Sequence, residues 1–164
     1  MKILALDCGL STGFAVYFGD MKGRIESGVQ TFKAQRGESP GIRFLYFRTW
    51  VERMINRIKP DLVVYEMSIR RGGAATELQI GMTTRVQEMC SVLKTEYIKV
   101  HLSTVKKFAT GSGRASKQDM IKAANKLLAS QKRKIRYVTN SDDEADAIMI
   151  LAWAINEFES DNVE

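Results

Sequence analysis

Four carboxylates from distant parts of the chain, Asp7, Glu66, Asp143 and Asp146, have the type and setting to act together. Asp7 ends the apolar run ILALD and Glu66 ends DLVVYE. An acid seldom ends a buried strand without a partner, because burying a lone carboxylate costs several kcal/mol or moves its pKa. One such acid would read as a core residue capping a nearby helix. Two strands ending alike point to a shared pocket at one edge of a sheet. The other pair comes from SDDEADA, where Ser141 and Glu144 fit a Ser-x-x-Glu capping box with Ser141 as N-cap. That register sets Asp143 and Asp146 three residues apart on one helix face. The helix dipole accounts for Asp142 and Glu144. It does not account for Asp146, which lies past the first turn among apolar residues.

Gathering these acids is unfavourable, since two carboxylates about 4 Å apart repel by roughly 4 kcal/mol at an effective dielectric near 20. A proton or a divalent cation must relieve this, and an all-oxygen set suits Mg²⁺ or Mn²⁺. Two such ions about 3.5–4 Å apart can align a water on a phosphodiester and stabilise the leaving 3′-oxygen. Zinc has no ligand set here. Cys8 and Cys90 are far apart and read as reduced thiols, and His101, the only histidine, falls in a predicted strand as a structural residue.

The charge pattern suggests the substrate. Net charge is +6, and between Lys99 and Arg136 there are eleven Lys or Arg residues against one acid, Asp119. From Ser141 onward there are eight acids and no Lys or Arg. A basic stretch beside a cation-seeking cluster fits a polyanion, whereas a basic stretch alone would equally be a solubilising surface.

The elements that must position these groups follow from periodicity. Ile3–Asp7, Gly13–Phe18 and Ile25–Phe32 read as three antiparallel strands, with Gly9 and Gly13 allowing a tight turn after the first and a turn at Gly19-Asp20 and Lys22-Gly23 before the third. Phe47, Trp50, Val51, Met54, Ile55 and Ile58 share one face of a helix that Pro60 stops. Asp61–Glu66 is a fourth strand. Gly72-Gly73 precedes a long predicted helix, Ala74–Thr95. Tyr97–Leu102 is a fifth strand, followed by a short helix over Thr104–Phe108, a flexible Gly111-Ser112-Gly113 and a helix from Ser116. A last helix starts near Ser141 and is apolar from Ala145 to Ile155. This is an α/β chain with a mixed five-stranded sheet flanked by helices, and 164 residues suit a single domain spanning 1–164. No apolar run is long enough for a membrane span, and MKILALD lacks a leader's cleavage site, so a cytoplasmic location is expected.

With the acids in these elements, the chain resembles the RuvC Holliday-junction resolvases of the RNase H-like superfamily. ILALDCGLSTGFAVY is similar to that family's opening strand with its Asp-x-Gly, DLVVYE to its fourth strand, and DEADAIMILAWA to its last helix. The resemblance implies that Asp7, Glu66, Asp143 and Asp146 are catalytic metal ligands for Mg²⁺ or Mn²⁺, two ions per site. STVKKFATGSGRASKQDM resembles the stretch with two lysines important for cleavage, which match Lys106 and Lys117. Lys117 would be catalytic. Arg70, Arg71, Lys106, Lys107, Arg114 and Lys117 would bind DNA. The implied activity is paired nicking of a four-way junction by a homodimer, leaving 5′-phosphate and 3′-hydroxyl ends. Two departures stand out: Cys8 follows the first acid where proline is frequent, and Ile69 stands where an aromatic wedge is found. The compact form looks like versions carried by bacterial viruses, which act in an infected bacterial cell.

Three other readings remain. A relaxed branched-DNA, flap or RNA–DNA hybrid nuclease would share the acids; RNase H proper places an acid on the helix after the first three strands, where only Glu52 is found. An actin-like or sugar-kinase ATPase also opens with Asp-x-Gly, but needs a second lobe that this length does not hold, so no nucleotide cofactor is expected. A non-catalytic junction-binding protein would keep the repulsion among its acids to no benefit.

Overall fold

The computed structural model describes residues 1–19, 24–68, 72–130 and 138–159. Strands β1 (Ile3–Asp7), β2 (Ser11–Tyr17) and β3 (Ile25–Thr31) form an antiparallel meander. Helix α1 (Ile42–Ile58) leads to β4 (Leu62–Glu66), which lies parallel to β1. Helix α2 (Gly73–Val92) leads to β5 (Glu96–Val100), parallel to β4. Helices α3 (Leu102–Thr110), α4 (Lys117–Ser130) and α5 (Asp142–Glu159) follow, and the sheet order is β3-β2-β1-β4-β5. The mixed sheet flanked by helices is the expected architecture.

Period-two alternation divides the core between the two faces of the sheet. Leu4, Leu6, Val16, Val63 and Tyr65 face α1 and α2, meeting Phe47, Val51, Met54, Ile55, Met82, Val86 and Met89. Ile3, Ala5, Ala15, Leu62 and Val64 face the other way, onto α3, α4 and α5. The apolar run from Ala145 belongs there: Ala145, Ala147, Ile148, Ile150, Leu151 and Ala154 are buried against the sheet. Among the described residues no helix is long and apolar enough to cross a membrane.

Several boundaries differ from the sequence expectation. Helix α1 ends as predicted, with Lys59 in the left-handed region ahead of Pro60. Helix α2 stops at Val92 rather than Thr95, because Lys94 takes φ +52° and Thr95 N–H bonds back to Cys90 O. A lysine in that role gives no sequence signal. The fifth strand leaves the sheet at Val100, so His101 is not a strand residue. It caps α3, its carbonyl accepting from Thr104 and Val105 N–H. The expected Gly19-Asp20 and Lys22-Gly23 turns fall largely outside the described residues.

Candidate functional site

Alternation along β1 and β4 decides where the first two acids point. Ile3 and Ala5 face α5, and Leu62 and Val64 do likewise, so Asp7 and Glu66 extend the same two rows. The strands are parallel neighbours, with Leu6 opposite Tyr65, so both acids come to the carboxyl edge side by side. Such edges, where helices approach strand ends, are where open α/β sheets bind ligands. Glu66 comes close enough to the Asp7 carboxyl to favour its protonated form.

The N-terminus of α5 brings the second pair. Ser141 caps it, its Oγ accepting from Glu144 N–H at 3.3 Å. Glu144 reaches back through a relay: Thr139 Oγ1 donates to the buried Glu144 Oε2 at 2.6 Å and accepts from Ser141 N–H at 3.1 Å. Asn125 of α4 ties this turn down, its amide bonding both the carbonyl and the N–H of Thr139. In this register Asp143 and Asp146 enter a cleft of about 340 Å³ together with Glu66 and Asp142. Asp7 lies behind them, close enough to Glu66, Asp146 and Asp143 to interact with all three charges.

Burial, then the charge of Glu66 and its hydrogen bond, then Asp146 and Asp143, push the Asp7 carboxyl well above the usual carboxylate range. Burial, followed by the charge of Glu66, pushes Asp146 up to about 6 against a pull downward from Lys106. Burial also raises the neighbouring Cys8 thiol, helped by Asp7 and Glu66. Asp146 Oδ1 is buried with no hydrogen-bond partner among the described residues. As the side chains stand, no three His, Cys, Asp or Glu among the described residues converge tightly enough to ligate one ion. The donor set nonetheless fits a hard divalent cation: it is all oxygen, one buried Asp146 oxygen lacks a partner, and the mutual repulsion that raises Asp7 is what such a cation would relieve.

The basic residues divide. Lys106, half-buried on α3, is near enough to act on Asp146. Lys117, at the start of α4, lines the cleft and is ion-paired with Asp142, whose carboxyl it holds below the usual range. Arg114 belongs elsewhere, lining a shallow groove of about 440 Å³ with Lys122 and Lys126. Lys107 is exposed on α3. Arg70, Arg71 and Ile69 lie outside the described residues. Two cleft residues escaped the sequence reading. Thr76 and Gln79 of α2 line the space opposite the acids, three apart and so on one helix face. That spacing was the available signal, but two neutral polar residues on a helix do not stand out.

Compared by sequence, the chain matches no family model and no curated protein. Compared by structure, it is similar to Thermus thermophilus RuvC at a TM-score of 0.75 and 18% identity, over 98% of this chain and 97% of that one. The fold is that of the RuvC resolvases. Thermus thermophilus RuvC in complex with Holliday junction substrate gives 0.77 and 18%, covering 98% and 96%. The yeast mitochondrial Holliday junction resolvase gives 0.63 and 9%, covering 98% of this chain and 86% of that one. At these identities the RuvC likeness concerns the backbone, and the chemistry must be argued from the side chains above.

Proposed function

We propose that this protein is a divalent-metal-dependent endonuclease that resolves four-way DNA junctions by paired nicks, with Asp7, Glu66, Asp143 and Asp146 as its metal ligands. One observation carries the reading: on a RuvC fold, four carboxylates from three elements gather at the strand ends, near enough to raise the Asp7 pKa, and a buried Asp146 oxygen is left without a hydrogen-bond partner among the described residues. When bound, Mg²⁺ or Mn²⁺, two ions per site, supplies a Lewis acid and an activated water at the phosphodiester.

The chain's own residues do the rest. Asp7 and Glu66 sit on adjacent central strands, so their separation is fixed by the sheet. Because Asp7 and Asp146 hold protons strongly, loading the site releases protons and weakens at low pH. Lys106 and Lys117 flank the acids and balance charge developing on the phosphoryl oxygens, Lys117 exchanging Asp142 for the substrate phosphate. Thr76 and Gln79 offer a hydroxyl and an amide to the same phosphate. Cleavage leaves 5′-phosphate and 3′-hydroxyl ends that a ligase can rejoin. Arg70, Arg71, Lys107 and Arg114 hold backbone phosphates. A homodimer suits a substrate whose two opposed strands are related by a two-fold axis.

The test is a gel assay with Mg²⁺ or Mn²⁺ on a four-way junction, a fork, a duplex and an RNA–DNA hybrid, mapping cuts on every strand. Symmetric paired nicks in the junction are the expected result. Preferential cutting of the hybrid overturns the junction reading, and junction binding without cutting in either metal makes the protein a non-catalytic binder.

A further inference from the structure

Two strands supply Asp7 and Glu66, but nothing in the acid set explains how α5 comes close enough to add Asp143 and Asp146. The contact that allows it is at Gly13. Gly13 pairs with Asp7 across β1 and β2. Directly paired residues in an antiparallel ladder carry side chains on the same face, so a side chain at 13 would stand beside Asp7, toward α5. That space is filled by the α5 backbone. A Cβ on Gly13 would lie 1.8 Å from the Asp143 carbonyl oxygen, 2.3 Å from its carbon and 2.9 Å from Glu144 N. These are backbone atoms of a capped first turn, so no rotamer change relieves the overlap.

We propose that Gly13 is the positioning residue of the metal site: its missing side chain is the seat that holds the first turn of α5 against Asp7. The proposal rests on the nuclease reading and deepens it. Alanine at 13 must lift the Asp143 peptide by about 1.5 Å to restore ordinary contact distances. That moves Asp143 and Asp146 away from Asp7 and Glu66, whereas Lys106 and Lys117 belong to α3 and α4, outside the displaced turn. Gly28, in β3 opposite Phe14, is a matched control, because its added Cβ would meet only the Phe14 ring at 3.0–3.9 Å.

The experiment compares wild type, Gly13→Ala and Gly28→Ala in three measurements: the Mn²⁺ concentration that half-saturates thermal stabilisation, junction affinity in EDTA, and the nicking rate at saturating junction. Gly13→Ala is expected to raise the Mn²⁺ midpoint roughly 10–100-fold, as disturbing the surroundings of metal ligands does. Its nicking rate should fall about 10²-fold, as for reacting groups misplaced by about 1 Å. Its junction affinity should stay within about twofold, and added Mn²⁺ should restore part of the rate. Gly28→Ala should match wild type in all three. Thr139→Val loosens the same turn from its other side without touching the sheet, and decides the matter should Gly13→Ala not fold; its Mn²⁺ midpoint is expected to rise about tenfold. A folded Gly13→Ala with the wild-type midpoint overturns the proposal, as does an unfolded Gly13→Ala together with a wild-type midpoint in Thr139→Val. Wild-type protein that shows no Mn²⁺ stabilisation overturns the nuclease reading instead.

Discussion

Asp146→Asn should stabilise the metal-free protein while destroying its response to Mg²⁺. The Asp146 carboxyl is raised from 3.8 to about 6, first by burial and then by Glu66. A rise of about two units, at about 1.36 kcal/mol each, corresponds to about 3 kcal/mol. The folded protein binds this proton more tightly than the unfolded chain does. Its contribution is therefore fully present below pH 3.8 and is lost as pH rises through about 6. At pH 7.5 in EDTA the ionised Asp146 costs about 3 kcal/mol relative to a neutral amide of the same shape. For a chain of this size that is a melting temperature roughly 6–12 °C higher in the variant. Near pH 4 the two proteins should melt together. Saturating Mg²⁺ should reverse the ranking at pH 7.5, since only wild type gains the cation's binding energy. Calorimetry from pH 4 to 8, with and without Mg²⁺, reads all three comparisons. A variant that melts at or below wild type in EDTA at pH 7.5, or a gap independent of pH, refutes the reasoning.

Asp7→Asn should abolish nicking in Mg²⁺ yet bind junction as wild type does in Ca²⁺ or EDTA; nicking at the wild-type rate would remove Asp7 from the site. Lys117→Ala should slow single-turnover nicking about 10²-fold, with little change in melting temperature because its pair with Asp142 is solvent-exposed. Thr139→Val leaves the buried Glu144 oxygen and the Ser141 N–H without their shared partner; urea denaturation should show a loss of about 1–3 kcal/mol. Junction affinity should fall steeply with salt, and Arg114→Ala should lower the log–log slope by about 1 if that arginine contacts one phosphate.

Much of this was legible in the sequence because it is periodic. Alternation in ILALD and DLVVYE predicts not only two strands but the face on which their terminal acids lie. The Ser141–Glu144 box gave the α5 register, although Thr139 mediates half of it through a hydroxyl that no local pattern announces. The ends of α2 and β5 were misjudged because Lys94 and His101 terminate and cap by backbone conformation, with side chains that favour neither role. Gly13 read as a turn glycine but lies inside β2. What it makes room for is a helix more than a hundred residues further along, and only the tertiary structure supplies that reason. Arg114 shares a basic stretch of sequence with Lys106 and Lys117, but the fold sends it to a different groove.

Helix α5 lies against β1 and β2 as well as α4, covering one face of the sheet with its apolar length and bringing two of the four acids on its first turns. Closing the core and completing the carboxylate cluster thus depend on the same helix. Pairing of β1 with β4 brings Asp7 and Glu66 together, yet the cluster stays half-built until α5 docks. A chain broken off before residue 141 would keep the basic stretch between Lys99 and Arg136 but lack Asp143 and Asp146. On the proposed nuclease reading, the order of elements along the chain keeps the acid set incomplete until residues 142–146 are in place.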